Sequence, residues 1–111
     1  MSSSNFKLLQ HISDEISFIL DATSNKGKDA VFNDPVLSRA IVRSLEIIGE
    51  ASNKLDLEFK AEHSAIEWRK IVNTRHKLIH NYFGIDYDIV WDIITNKLPD
   101  LFNYVEQIIK K

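Results

Sequence analysis

The chain has 111 residues, 44% of them hydrophobic, enough for one domain with a real core and too few for a two-domain enzyme cleft. Its 14 basic and 16 acidic side chains leave a net charge of −2, so no overall positive field draws in nucleic acid or a membrane surface, and a nucleic-acid partner has to be gripped locally. Cysteine is absent, which excludes disulfides, thiolate chemistry and cysteine metal sites and agrees with a reducing cytoplasm. Met1, the three serines and Asn5 contain no apolar leader core, and no run approaches the roughly 20 apolar residues of a membrane span, so a soluble, cytoplasmic protein is expected.

In chain order, Leu9, Ile12, Ile16, Ile19 and Leu20 recur at helical spacing and predict an amphipathic helix over residues 5–22, with Ser4 as its cap. Thr23 to Asn33 has no apolar period and reads as a loop in which Val31 and Phe32 tuck back onto the core. Asp34-Pro35 restarts a helix, the aspartate as N-cap and the proline where its missing N–H costs nothing. From Leu37 to Leu55 the pattern holds for about 20 residues, or roughly 30 Å at 1.5 Å per residue. Gly49 interrupts it at a cost of roughly 1 kcal/mol relative to alanine, which predicts that another helix crosses closely there. After a polar segment from Asp56 to Ser64, residues Ile66, Trp68, Ile71 and Val72 open a short helix, and Phe83-Gly84 supplies a stop. Asp86 is the expected N-cap of a helix carrying Ile89, Val90, Ile93 and Ile94, which Leu98-Pro99 breaks. A final helix carries Leu101, Phe102, Val105, Ile108 and Ile109. With no alternating strand pattern, the expectation is a single all-α domain over residues 1–111, an up-and-down bundle of about five helices.

The stretch around which this scaffold is organised is Asn73-Thr74-Arg75-His76-Lys77-Leu78-Ile79-His80-Asn81-Tyr82. It concentrates groups able to bind phosphate, carry a proton and stack on a base, where an ordinary surface helix carries lysine and glutamate. Read as a helix, it puts Arg75, Leu78, Ile79 and Tyr82 on one stripe and His76 and His80 on the next. Arg75 and His80 then lie about 140° apart around the axis. Either the arginine side chain bends toward the histidine, or a second copy of the helix faces the first in a two-fold dimer; the second arrangement is favoured.

Arg75, four residues, His80, one residue and Tyr82, with the polar His76 directly after the arginine, resemble the signature of the HepT-like proteins in the HEPN group of small helical nucleases. Leu45-Glu46-Ile47-Ile48-Gly49-Glu50-Ala51, Trp68-Arg69-Lys70-Ile71, Val90-Trp91-Asp92-Ile93-Ile94 and Leu98-Pro99 are similar to the family's surrounding blocks in the same order, so the likeness spans nearly the whole chain. The resemblance implies the toxin of a type VII toxin–antitoxin pair: a homodimeric endoribonuclease that cuts tRNA or mRNA without metal or other cofactor. It is silenced by a small nucleotidyltransferase antitoxin that attaches AMP to a tyrosine. Tyr82 is the motif tyrosine and the candidate for that modification; the four-residue spacer, His76 to Ile79, contains none. RNA carries its own nucleophile, the ribose 2'-hydroxyl, so cleavage needs a proton carrier of near-neutral pKa and a cation on the phosphorane. His80 fits the first role and Arg75 the second. His76 is placed to act as a second proton carrier or phosphate contact, Asn81 to orient a neighbour, and Tyr82 to stack on a base or donate to phosphate.

Plainer readings compete with each assignment. An isolated Arg75–His80 pair reads as a salt-bridge or capping arrangement, a reading the family context reverses. His76 and His80 have the i, i+4 spacing of zinc ligands, but Lys77 replaces the glutamate of zinc proteases and no third ligand is indicated. Tyr82 can simply bury its ring. Trp68 and Trp91 read as core or interface residues, and His11 and His63 as solvent-facing. Glu46 and Glu50 share a helix face and read as a solvated face or as partners of Arg43 or of a motif arginine. The alternative function is a non-catalytic subunit of a nucleotidyltransferase, in which the same stretch presents Tyr82 or a small molecule to the partner.

Overall fold

The first helix, α1, runs Ser3–Thr23 because Leu9, Ile12, Ile16 and Ile19 stack on one stripe, where all four are fully buried. Its cap is Ser2, whose hydroxyl accepts the Asn5 backbone N–H at 3.1 Å, and the predicted cap Ser4 lies inside the first turn. The difference is a register of two residues: both serines suit the role, and only Ser2 has extended backbone that aims its oxygen at that N–H.

The computed structural model of the protein describes residues 1–74 and 84–111. The segment after α1, expected to be a loop, contains the short helix α2, Lys28–Phe32. Val31 is fully buried as expected, and the helical turn delivers it there while its N–H is satisfied by the Gly27 carbonyl at 3.2 Å. Five residues are too few to show a period in sequence. α3, Pro35–Lys54, is the expected 20-residue helix, and Asp34 caps it by accepting the N–H groups of Val36 and Leu37 at 3.0 Å each.

The polar segment after α3 also contains a helix, α4, Leu57–Glu62, which buries Phe59 to 5% exposure. Asn5 ties this junction to the start of α1: its amide donates to the Asp56 carboxylate at 3.1 Å and its carbonyl accepts the Asp56 N–H at 3.3 Å. His63, expected in solvent, is half-buried, with its ring 4.6 Å from Phe59 and edge-on to Tyr104. Its carbonyl accepts the Trp68 indole N–H at 3.1 Å, so Trp68 can sink into the core with its one donor satisfied. Trp68 opens α5, Trp68–Val72.

Past the undescribed segment, Asp86 caps α6, Tyr87–Asp92, by accepting the N–H groups of Asp88 and Ile89, as expected. Leu98-Pro99 does not break the chain into two separated helices. A single π-helical turn, Ile93–Lys97, runs directly into α7, Leu98–Lys110, with Pro99 in the first turn of α7. Pro99 offers no N–H to the turn before it, and the wider π turn, closed by the Leu98 N–H on the Ile93 carbonyl, carries the helix past that missing bond. Among the described residues the architecture is all-α. α1 lies against both α3 and α7, α3 carries α5 on another face, and one cluster of buried side chains runs through all of them. The Ser13 hydroxyl donates to Glu106 at 3.1 Å across the α1–α7 seam. No helix among the described residues is long and apolar enough to cross a membrane.

Candidate functional site

Arg75, His76, His80, Asn81 and Tyr82, the residues expected to carry the chemistry, all lie outside the described residues, as does the stop residue Phe83. What the structure describes is the frame on either side of them.

The upstream side is α5. The residues of and beside α5 have distinct surroundings: Trp68 is buried, the exposed Glu67 and Lys70 and the half-buried Thr74 border a groove, and Arg69 and Asn73 are exposed away from it. This follows from a 3.6-residue repeat anchored by one large aromatic side chain. α5 is held on α3 by a backbone-to-backbone approach. A Cβ built on Gly49 would stand 3.3 Å from the Ile71 carbonyl oxygen and 3.6 Å from that of Val72. The expected close crossing at Gly49 is thus present, and it occurs at the last two residues of α5. Thr74, the last described residue before the motif, turns its hydroxyl back to the Lys70 carbonyl at 2.9 Å.

The downstream side begins at Gly84, whose φ of +97° is a conformation that side chains disfavour. Two residues later the Asp86 cap starts α6, and α2 locks α6 in place. Phe32 stacks on Tyr87 at 4.6 Å between ring centroids and meets Trp91 edge-on at 6.0 Å, while Lys28 pairs with Asp88. Trp91 is therefore a packing residue, as expected, and so is Trp68. The described elements on either side of the motif are held by different parts of the chain, α5 by the C-terminal part of α3 and α6 by α2.

Charge is distributed unevenly around this frame. From Trp68 to Ile85 the sequence has Arg69, Lys70, Arg75 and Lys77 and no acidic residue at all, leaving ten of the 14 cations to face all 16 acids elsewhere. The acids at its borders are engaged. Asp86 is spent on its cap, Asp88 pairs with Lys28, and Glu67 pairs with Lys70 at 2.7 Å. Glu46 and Glu50 bind Arg43 at 3.3 and 3.6 Å, which supports the salt-bridge reading of that pair. This acid-free run was legible in the sequence, and total charge conceals it.

A groove of about 450 Å³ opens between α3, α5 and the α6–α7 segment, floored by Leu45, Ile48, Ile71, Ile93 and Leu101. Its rim mixes Lys70 and Lys97 with Glu67, Asp92 and Asp100, so it offers no net attraction to a polyanion. No group of three or more histidine, aspartate or glutamate side chains able to hold a metal is found among the described residues.

The family described as "Ribonuclease HepT-like" matches residues 12–108. The chain is 44% identical over 103 residues to "Putative RNase TTE0752" of Caldanaerobacter subterraneus subsp. tengcongensis, covering 93% of this chain and 92% of that one. It is 39% identical to "Putative RNase MJ0127" of Methanocaldococcus jannaschii over 92% of this chain and 84% of that one. It is 34% identical to "Probable ribonuclease HepT" of Thermococcus cleftensis over 99% of this chain and all of that one. No solved structure matches. With one family matched over most of its length and relatives aligned nearly end to end, the chain belongs to the HepT-like ribonuclease family.

Proposed function

We propose that this protein is a metal-independent endoribonuclease whose reacting groups are Arg75 and His80. The observation that carries the reading is membership of the HepT-like ribonuclease family combined with the presence in this chain of Arg75, His80 and Tyr82 at the family's spacing.

In this reading one imidazole takes the proton of the ribose 2'-hydroxyl. The 2'-oxygen attacks the adjacent phosphorus, the bond to the 5'-oxygen breaks, and a protonated imidazole returns a proton to the leaving 5'-oxygen. The products are a 2',3'-cyclic phosphate and a 5'-hydroxyl, so atoms and charge balance without metal or water in the first step. His80 takes one of the two proton-carrying roles. The other falls to His76 or to the partner's copy of His80 if the site is shared across a two-fold dimer. Arg75 stabilises the charge that builds on the phosphorane oxygens, where a fixed guanidinium contributes more than it would in bulk water. Asn81 orients a neighbouring group and Tyr82 stacks on a base. Tyr82 is also where a nucleotidyltransferase antitoxin attaches AMP, in the toxin–antitoxin arrangement that the family resemblance implies.

The test is incubation of purified protein with total RNA and a tRNA pool in excess EDTA, beside Arg75→Ala and His80→Ala. Cutting by the wild type alone, with 2',3'-cyclic phosphate ends, is the expected result. No cutting by a chain shown by mass spectrometry to be unmodified overturns it and favours the non-catalytic nucleotidyltransferase subunit. A chain that carries AMP on Tyr82 is to be freed of it and assayed again.

A further inference from the structure

We infer that Arg69 binds a substrate phosphate outside the reacting one, extending the RNA-binding surface along α5 away from the motif. The inference rests on the RNA-cleaving reading above and adds a contact to it.

The chain's net charge is −2, so RNA affinity has to come from local charge. The longest stretch without an acidic residue, and the one with the most cations, is the run from Trp68 to Ile85, and its described cations are Arg69 and Lys70. These two are not equivalent. Lys70 faces the mixed-charge groove and is paired with Glu67 at 2.7 Å. Both are exposed, but Arg69 does not line the groove and has no ion-pair partner among the described residues. Four residues on, Asn73 is exposed on the same stripe of the helix, adding an amide that can donate to a phosphate or sugar oxygen. The backbone beneath them is fixed on both sides. Trp68 is buried with its indole N–H bound, and the end of α5 abuts α3 at Gly49. A guanidinium carried on a fixed backbone adds no backbone ordering to the cost of binding and offers a planar fork suited to phosphate.

The groove beside α5 does not compete as the track. Its rim carries three carboxylates against two ammonium groups, which repels a phosphate backbone as much as it attracts one.

The experiment uses the full chain carrying His80→Ala, so that RNA is bound without being cut, and a fluorescein-labelled mixed-sequence single-stranded RNA of about 20 nucleotides as probe. Affinity is measured by anisotropy over a series of KCl concentrations. Adding Arg69→Ala is expected to weaken binding about fivefold or more and to flatten the plot of log affinity against log salt by about 0.7, the contribution of one phosphate contact on a single strand. Arg69→Lys is expected to keep the slope. Arg39→Ala removes the same charge from an exposed position near the start of α3 and is expected to stay within twofold of the parent with an unchanged slope. If Arg69→Ala and Arg39→Ala behave alike while the parent binds and the wild type cuts RNA, the inference fails and the nuclease reading stands. If the parent binds no RNA and the wild type cuts none, both fall together.

Discussion

Gly49 of α3 and Ile71 of α5 meet backbone to backbone: a methyl group on Gly49 would lie 3.3 Å from the Ile71 carbonyl oxygen, four residues before Arg75. Because the obstructing atom is a carbonyl, no rotamer change on α5 can make room. Gly49→Val should therefore lower stability by about 1–3 kcal/mol in urea denaturation, the usual cost of overpacking. Gly49→Ala should cost less, because alanine recovers about 1 kcal/mol of helix propensity. Both should reduce RNA cleavage by more than their loss of folded protein explains, since the end of α5 must shift and the motif follows from it. Cleavage that falls only in step with stability would reduce Gly49 to a packing residue.

Ser52 is fully buried on α3, and its hydroxyl has no hydrogen-bond partner among the described residues. Such a group loses its hydration on folding and recovers nothing. Ser52→Ala keeps the Cβ contacts and should raise stability by about 1 kcal/mol, seen as a higher urea midpoint at an unchanged slope. A lower midpoint would show that the hydroxyl is satisfied after all.

α2 holds α6 through two kinds of contact whose weights differ. Phe32 packs on Tyr87 and Trp91, whereas the Lys28–Asp88 pair is largely solvated, its side chains 40% and 80% exposed. Phe32→Ala should cost about 2 kcal/mol, below the range for a fully buried phenylalanine because Phe32 is only half-buried. Lys28→Ala should stay within about 0.5 kcal/mol. Hydrogen exchange should accelerate in α6 for the first variant and not the second. Equal effects would mean that the ion pair, not the aromatic stack, docks α2.

Asp86 accepts two backbone N–H groups at the start of α6, and its charge borders the acid-free run. Asp86→Ala should cost about 1 kcal/mol, whereas Asp86→Asn should preserve most of the cap while removing the negative charge. Thermal melts of the two variants separate the capping role from the charge. Equal destabilisation would show that the carboxylate matters for more than its hydrogen bonds.

The long elements were legible in the sequence because their buried residues repeat over several turns. Leu9 to Ile19 in α1, Ile41 to Ala51 in α3 and Val105 to Ile108 in α7 leave one stripe of each helix without water, and no other secondary structure does that for this spacing. The aspartates before α3 and α6 were equally legible, since an N-cap is a local interaction between neighbours in sequence. α2 and α4 were not. Each is a short turn that exists to bury one residue, Val31 or Phe59, and one residue has no period. The π turn before Pro99 was missed for a related reason: the sequence marks a site where an α-helix cannot continue, but not how the chain accommodates it.

For the candidate site, the sequence by itself determined the identity and order of the candidate groups, the family the chain belongs to, and the absence of acids from the run that holds those groups. These are properties of the chain that survive unfolding. It also determined that something must come close at Gly49, because a glycine in a long helix is otherwise an unexplained cost. Only the tertiary structure decided what that neighbour is, the carbonyls of Ile71 and Val72, and that α2 secures the other side through Phe32. It also separated Arg69 from Lys70, adjacent in sequence and alike in charge and exposure, by pairing Lys70 with Glu67 at the edge of a groove and giving Arg69 no ion-pair partner among the described residues. The physical reason is that contacts between distant segments depend on how helices pack, and packing is a property of the whole core that no local stretch encodes.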